Sequence, residues 1–271
     1  MSLRDKHGYT FIHPFDDPNV IAGQGTIGLE ILNQLPDVET VVVPVGGGGL
    51  ISGVAFAIKS LNPKVKIYGV QSEGAPSMVN SLHDHTIERL PFVSTVADGI
   101  AVKEPGKLTY ETCANYVDDI VTVSDDEICA AILRLIEREK LASEGAGATA
   151  VAAVMFDKLP VRGKKTVCIV SGGNIDVTLL NRVINRGLLK SGRLCSIEIE
   201  LEDEPGQLVG VSSCIARVGG NVTGVHYDRT SIVKKVNSCI LKLDIETKNH
   251  EHIQQIKQQL IDQGFRLYSQ E

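Results

Sequence analysis

Apolar residues recur along the first two thirds of the chain in short runs that alternate with helical patterns. Residues 40–43, 65–70, 120–123 and 166–170 form four apolar runs, rich in β-branched side chains, as is typical of buried strands. Helices are expected over residues 50–61, from about 125 with a capping box formed by Ser124 and Glu127, and from 174 to about 186. Strands that alternate with helices predict an α/β fold with an open, mostly parallel sheet.

The pattern changes after residues 188–192, which we predict to be a linker between domains at 1–187 and 193–271. Residues 196–201 alternate apolar and charged side chains, as a strand with one solvent-facing side does. A helix over 207–218, strands near 221–227 and from Val236 to 245, a last helix that ends before Gly264 and a strand at 265–268 follow. The last helix is expected to place Ile253, Ile256, Leu260 and Ile261 on its buried face. This βαββαβ order predicts an α+β, ferredoxin-like module with an antiparallel sheet.

Composition narrows the classes of function. The chain has 271 residues, a net charge of −6 and only 4% aromatic residues, which disfavours a polyanion partner and a base-stacking nucleic-acid binder. Its six cysteines include no CxxC pair, so we expect reduced thiols and no metal site built on cysteine. The first residues are polar and unlike a signal peptide, and the uncharged stretch 41–58 contains Pro44 and four glycines. We therefore expect a cytoplasmic protein that does not span a membrane.

Four consecutive glycines, Gly46, Gly47, Gly48 and Gly49, join the first predicted strand to a helix that begins near Leu50. Glycines let backbone N–H groups converge without obstruction by Cβ atoms, and the start of a helix favours an anion. The motif is neither a Walker A loop nor a GxGxxG fingerprint. It predicts a phosphate site, and a flexible or tightly packed turn is the alternative.

A second polar loop, Ser171-Gly172-Gly173-Asn174, follows the last strand of the first domain. Ligands of open α/β sheets bind beyond the carboxyl ends of the strands, so both loops are expected at one edge of the sheet. A phosphate cradle and a hydroxyl at one edge suggest a phosphorylated cofactor with a ring to anchor. The alternative for Ser171 is a helix N-cap.

These motifs carry a family resemblance. The run from His13 to Pro18 (HPFDDP), the run AGQGTIGLE at 22–30, the glycine loop, and the segments at 71–77, 97–102 and 171–174 occur in the order found in threonine dehydratases (threonine ammonia-lyases). The chain thus resembles fold-type II pyridoxal-phosphate enzymes, close to serine racemases and serine dehydratases, and residues 1–187 resemble the C-terminal portion of their catalytic domain. Residues 193–271, with the segment DEPGQL at 203–208, resemble a single ACT domain.

The resemblance implies roles for individual residues. Gly46 to Gly49 and the Leu50 amide would hold the phosphate of pyridoxal 5′-phosphate (PLP), and Ser171 would face the pyridine nitrogen. A neutral hydroxyl there favours β-elimination over transamination, so threonine would give 2-oxobutanoate and ammonia, and serine would give pyruvate. Gly99 and Glu144 would lie in the substrate pocket. A helix first-turn carboxylate is the alternative for Glu144.

The ACT resemblance implies an amino-acid effector, bound near Asp203, Gly206, Leu208 and Asn221, allosteric control and a homo-oligomer. Isoleucine biosynthesis is the expected setting, and a catabolic role is the alternative. A non-catalytic, amino-acid-sensing regulatory fragment is the alternative function for the chain, and a non-functional fragment is the third.

The sequence departs from the family in two places. Gln71 and Ser77 stand where related serine racemases have acidic metal ligands, so no metal is expected. The Ser-Phe-Lys-like motif that carries the Schiff-base lysine is missing, as is the Ser-Gly-Asn-His-like substrate loop. Lys59, Lys103 and Lys107 are the nearest lysines by position, and none lies in a matching motif. We therefore assign no catalytic residue and expect no turnover by these residues alone.

Overall fold

A computed structural model of the chain describes residues 2–229 and 237–268. The chain divides into two compact units, Met1–Ile184 and Asn185–Glu271. No helix in these described ranges is both long and apolar enough to cross a bilayer.

In its described residues the first unit contains seven α-helices and four strands, with one or two helices between successive strands, and an eighth helix runs across the division. In chain order they are α1 (Ser2–His7), α2 (Pro18–Gln34), β1 (Thr40–Pro44), α3 (Gly49–Leu61), β2 (Lys66–Ser72), α4 (Ser77–His83), α5 (Lys107–Tyr116), β3 (Asp119–Val123), α6 (Asp125–Arg134), α7 (Gly145–Met155), β4 (Thr166–Cys168) and α8 (Val177–Lys190). A 3₁₀ turn spans Asp98–Ile100, and a π-helical turn, Leu135–Glu139, extends α6. The predicted strands and the capping box of Ser124 with Glu127 are confirmed.

The four strands form one parallel sheet in the order β3-β2-β1-β4. Successive residues of β1 face opposite sides of this sheet. Val41 and Val43 pack into a core with α2 to α5, and Val42 packs into a second core with α6, α7 and α8. The predicted parallel α/β sheet, with helices on both faces, is therefore confirmed.

Helix α8 continues past residue 186 into the segment predicted as a linker, residues 188–192. It ends at Lys190, and Gly192, two residues later, has a φ of 68°, in the left-handed region. Gly192 N donates to Leu189 O and Arg193 N donates to Leu188 O, at 3.0 and 2.8 Å. This is a Schellman C-cap, so the segment predicted as a linker forms the last residues of a helix and its cap.

The second unit is an antiparallel sheet in the order β6-β7-β5-β8 with two helices. Its elements are β5 (Leu194–Glu202), α9 (Gln207–Arg217), β6 (Asn221–Asp228), β7 (Ser238–Glu246), α10 (His250–Asp262) and β8 (Arg266–Leu267). Both helices pack on one face, where Ile199, Ile215 and Leu241 are fully buried. The predicted βαββαβ module is confirmed. Its third strand was predicted to start at Val236, which lies outside the described residues.

One predicted core position of α10 is wrong. Ile256 and Leu260 are buried as expected, but Ile261 is 51% exposed. His252 takes the inward position instead, because its ring bonds Val218 O and accepts from Lys248 N, so its polar atoms are satisfied inside the unit.

Candidate functional site

The two polar loops of the first unit leave neighbouring strands at the same edge of the sheet. β1 and β4 are parallel, with Val42 opposite Cys168, and Ile169 N donates to Val42 O at 2.9 Å. The glycine loop begins after β1, and the loop that carries Ser171 begins after β4. The expected meeting of the two loops at one edge is therefore present.

The glycine loop ends in a left-handed residue that turns the chain into α3. Gly48 has φ 97° and precedes the first residue of the helix. Gly47, Gly48 and Gly49 are buried, yet none of the acceptors in residues 2–229 and 237–268 receives a hydrogen bond from a main-chain N–H of residues 46–50. Buried N–H groups without an acceptor are rare in native proteins. Converging free donors at a helix N-terminus fit an anion such as a phosphate.

Close packing around the loop explains why glycine is needed there. A Cβ on Gly47 would lie 2.5 Å from the ring of Phe15, and a Cβ on Gly48 would lie 2.7 Å from both Met78 and Thr109. A Cβ on Gly46 would lie 3.0 Å from the α-carbon of Ile100. The tightly packed turn of the alternative interpretation is thus real. Packing does not account for the unpaired N–H groups, however, so the phosphate site stays a prediction beside the packed turn.

Glu144 lies between Gly99 and the loop that carries Ser171. Its Oε1 lies 3.2 Å from the Cβ position of Gly99, and Gly172, at φ 76°, packs its α-carbon directly against the same carboxylate. Glu144 N donates to Gly172 O at 3.2 Å. Gly99, Glu144 and the loop of Ser171 therefore form one cluster. Through Ile100 this cluster adjoins the glycine loop at Gly46.

The alternatives for Glu144 and Ser171 have different outcomes. Glu144 is the N-cap residue of α7, but its side chain makes no capping hydrogen bond. Ser171 is not an N-cap, because α8 begins six residues later, at Val177, and the Asp176 carboxylate accepts from the first N–H groups of that helix. The half-buried Ser171 hydroxyl makes no hydrogen bond to any residue in the described ranges. It is therefore free to meet a ligand.

The three candidate lysines differ in surroundings. Lys59, at the far end of α3, pairs with Asp118 at 2.7 Å. The Lys103 ammonium donates to Pro91 O at 3.3 Å, and the exposed Lys107 opens α5. None lies in the cluster of Gly99, Glu144 and Ser171.

Of the two positions that replace metal ligands, Gln71 makes a structural contact through Oε1, whereas Gln71 Nε2 and Ser77 Oγ are buried without a hydrogen-bond partner in the described residues. Gln71 Oε1 accepts from Met78 N and Val79 N at 3.0 and 2.9 Å, which caps the start of α4. Ser77 is fully buried beside it. Within residues 2–229 and 237–268, no group of three or more histidine, cysteine or acidic side chains is placed to hold a metal ion.

The four effector candidates of the second unit do not form one cluster. Asp203 and Gly206 follow the end of β5, and Leu208 lies in the first turn of α9. Asn221 begins β6 opposite Glu246, which pairs with Leu194 at the other end of β5. The length of β5 separates the two ends by roughly 25 Å. Asp203 pairs with Arg229 at 3.0 Å, and Asn221 donates to Glu246 at 2.8 Å.

Sequence reasoning missed three side chains that shape the glycine loop: Phe15, Asp16 and Thr109. Phe15 and Asp16 belong to the HPFDDP run, which marked the family without assigning them a contact. Thr109 carries no sequence signal, because it meets the loop only through the packing of α5 against α3.

Comparison with known proteins gives the class. The family model described as "Pyridoxal-phosphate dependent enzyme" matches residues 1–172, and the chain belongs to this family. The fold, the free N–H groups of the glycine loop and the hydroxyl of Ser171 agree with that membership.

Individual relatives carry more specific names. The chain is 51% identical over 265 residues to an L-threonine ammonia-lyase of Thermotoga maritima, and 44% identical to one of Geobacter sulfurreducens. Each match covers 98% of this chain and 66% of the relative. The chain thus spans just under two thirds of these relatives. It is also similar to the processed form of threonine deaminase isoform 2 from Solanum lycopersicum, with a TM-score of 0.65 and 43% identity over 68% of this chain and 55% of that chain.

Proposed function

We propose that the protein takes part in the PLP-dependent β-elimination of L-threonine, in which the water that leaves is taken up again by hydrolysis, so that the net products are 2-oxobutanoate and ammonia. L-Serine, the smaller homologue, would give pyruvate. The observation that carries this proposal is the set of N–H groups without an acceptor at residues 46–50, of which residues 47–49 are buried, at the same sheet edge as the unpaired hydroxyl of Ser171. The names of the relatives support threonine as the substrate.

PLP supplies a ring that withdraws electron density from the substrate α-carbon, so that the α-proton and then the β-hydroxyl can leave. The N–H groups of Gly46, Gly47, Gly48, Gly49 and Leu50 hold its phosphate with the partial positive charge of the α3 N-terminus. Ser171 offers the ring nitrogen a neutral partner and leaves the ring a moderate electron acceptor, which favours elimination.

Glu144 and Gly99 belong to the substrate side of the site. Gly99 leaves open space in front of the carboxylate, since a Cβ there would lie 3.2 Å from Glu144 Oε1. The carboxylate is half-buried and makes no hydrogen bond or ion pair with the described part of the chain. It can therefore orient the ammonium group of an amino acid or hold a proton at Oε1.

These 271 residues do not include the lysine that this family bonds to PLP. Lys59 is held by Asp118 away from the cluster, and no Ser-Phe-Lys-like motif occurs in the sequence. PLP added to the purified chain should therefore bind reversibly. A stoichiometric adduct that borohydride traps on one lysine would contradict this assignment.

The second unit is an ACT-like regulatory module that senses an amino acid. Its βαββαβ order and the left-handed Gly206 at the start of α9 support this role. A cavity of about 460 Å³ opens at the same end of the sheet, between Glu202, Gln207 and Arg266. Calorimetric titration with isoleucine, valine and threonine tests the role, and no heat with any of them would rule it out. The regulatory fragment remains the second candidate function on the same grounds.

The protein works as a homo-oligomer in the cytoplasm, in isoleucine synthesis. β6 is an edge strand of eight residues on which Val225 and Tyr227 are each 43% exposed, which suits pairing with a second copy. None of the six cysteines, all of which lie in the described residues, forms a disulfide, as is usual in a reducing compartment. Light scattering that shows only monomer would contradict the oligomer.

The activity is tested on the protein as its source organism makes it. Deletion of the gene that encodes these residues should remove 2-oxobutanoate formation from L-threonine in extracts, and the wild-type gene should restore it. A gene carrying Ser171→Asp should restore less, because a carboxylate changes the ring's partner. Unchanged 2-oxobutanoate formation after deletion, together with a purified protein that releases no oxo acid from threonine or serine, would refute the activity.

A further inference from the structure

The side of the glycine loop that faces α5 is held by one hydroxyl group. Thr109, fully buried in the first turn of α5, donates a 2.6 Å hydrogen bond from Oγ1 to the carbonyl oxygen of Gly47. Gly106 N approaches the same oxygen at 3.4 Å. Gly106 O lies 3.1 Å from the Thr109 hydroxyl, but a hydroxyl has a single proton, and the shorter contact receives it.

The Gly47 carbonyl determines where the Gly48 N–H points. The two groups belong to one peptide unit, and no peptide bond in the described ranges is cis. In a trans peptide the C=O and N–H bonds point in opposite directions. A carbonyl held towards α5 therefore turns the Gly48 N–H away from α5, where it finds no acceptor in the described part of the chain.

The position of Thr109 is set in turn by Asp16. The Asp16 carboxylate accepts from the N–H groups of Lys107, Leu108 and Thr109 at 3.1, 2.9 and 3.3 Å. The next residue, Asp17, caps α2 through Asn19 N and Val20 N. Two adjacent carboxylates thus tie the first turn of α5 to the start of α2. Phe15, directly before them, packs its ring against Gly47.

We propose that Thr109, held by Asp16, is a positioning residue that aims the Gly48 N–H at the phosphate of the bound cofactor. This inference rests on the proposed function of the loop as a phosphate site. It predicts that loss of the Thr109 hydroxyl weakens the binding of the phosphate group and leaves the contacts to the ring unchanged.

The test compares pyridoxine 5′-phosphate with pyridoxine. Neither has the aldehyde, so neither reacts with surface lysines, and they differ only in the phosphate. Dissociation constants are measured by equilibrium dialysis for the wild-type chain, Thr109→Val, Thr109→Ser and the matched control Thr112→Val. Thr112 lies in the same helix, where its hydroxyl donates only to Leu108 O within α5, at 2.7 Å.

Thr109→Val should raise the dissociation constant of pyridoxine 5′-phosphate about tenfold, as expected for loss of one buried hydrogen bond. The dissociation constant of pyridoxine should change less than about twofold. Thr109→Ser and Thr112→Val should stay close to wild type for both ligands. Equal weakening of both ligands by Thr109→Val, or no weakening of either, would refute the positioning role alone. A wild-type chain that does not prefer the phosphorylated ligand would instead refute the phosphate site, and this role with it.

Circular dichroism shows whether Thr109→Val is folded. If it is not, Asp16→Asn provides the test, because asparagine keeps an acceptor oxygen while it weakens the three N–H contacts to α5. Asp16→Asn should raise the dissociation constant of pyridoxine 5′-phosphate about threefold and leave that of pyridoxine unchanged. Equal values for Asp16→Asn and wild type would then refute the proposal.

Discussion

The Glu144 carboxylate lies against the α-carbon of Gly172, in the space that any side chain at residue 172 would need. Gly172 also has a φ of 76°, a conformation that other residues adopt only at a cost. Two independent features therefore require glycine directly after Ser171. The contact places the carboxylate of one loop beside the hydroxyl-bearing loop of another, which makes it central to the geometry of the proposed site.

Gly172→Ala should move the Glu144 side chain and reduce the unfolding free energy by more than backbone strain alone. Gly163→Ala is the matched control, since Gly163 has φ 75° and nothing within 4 Å of its Cβ position. We expect a loss of about 1 kcal/mol for the control and a loss larger by about 0.5–1 kcal/mol for Gly172→Ala, because the half-buried end of the Glu144 side chain must move aside; both are measured by urea unfolding. Adding Glu144→Ala to Gly172→Ala should recover the difference, and failure to recover it would show that the contact is not the cause.

Helices α2 and α3 are expected to require glycine at residue 53. A Cβ there would overlap the carbonyl of Ile21 and lie 2.6 Å from Gly25 N, both of which are backbone atoms that cannot rotate away. Gly53→Ala should therefore destabilise the first unit by about 3 kcal/mol. Gly23→Ala, in α2 with open space around its Cβ position, should stabilise it by about 0.5–1 kcal/mol. Two changes of the same sign in thermal unfolding would contradict the close packing of these helices.

Asp118 should stabilise the first unit at neutral pH and lose this effect in acid. Burial raises its pKa, but the hydrogen bonds from Lys59, Lys66 and Ile67 N outweigh that effect and hold the pKa below its ordinary value. A carboxylate with a lowered folded-state pKa contributes stability above the unfolded value near 4, and loses it as the pH falls through the folded value. Asp118→Asn should thus cost about 1 kcal/mol at pH 7 and progressively less below about pH 4.

An exposed pair is the control for Asp118. The pKa of Asp157 is also lowered, by hydrogen bonds from the Arg162 guanidinium, but both side chains lie in solvent. Asp157→Asn should change urea unfolding little at any pH, because solvent screens the pair. An Asp118→Asn penalty that persists undiminished at pH 2.5 would show that the charge of Asp118 is not its source.

Cys113 and Cys168 should resist alkylation in the folded protein. Burial raises the pKa of Cys113 to about 12 and that of Cys168 to about 11. At pH 8 about one Cys113 thiol in ten thousand is then ionised, and the thiolate is the reactive form. Peptide mass spectrometry after iodoacetamide treatment should find both unmodified in the folded chain and modified in guanidinium chloride. Rapid modification of Cys113 under native conditions would contradict its burial.

The sequence predicted those elements whose patterns are local. Strand β1, the capping box of α6 and the alternation of β5 follow from runs of a few residues, so they could be recognised without the fold. Because loops that follow parallel strands lie at the carboxyl edge of the sheet, the sequence also predicted that the glycine loop and Ser171 lie at one edge. The prediction that Ile261 is buried was wrong, because helical spacing alone cannot show that His252 finds polar partners inside the unit.

The contacts that complete the site join distant residues and leave no local pattern. The bond from Thr109 to Gly47 spans 62 positions, and those from Asp16 to α5 span more than 90. The ACT resemblance grouped Asn221 with Asp203, and sequence order does not tell which end of an antiparallel strand a residue reaches. The pairing of β5 with β7 decides that, and it places the two residues at opposite ends.

The central claim is that the N–H groups of residues 46–50 bind the phosphate of the cofactor. Titration of the ¹⁵N-labelled chain with pyridoxine 5′-phosphate, followed by ¹H–¹⁵N spectra, tests it most directly. The account predicts large, saturable shifts of the amide signals of these five residues, and much smaller shifts of the same signals with pyridoxine. Shifts of equal size with the two ligands, or saturation that leaves these five signals in place, would contradict it.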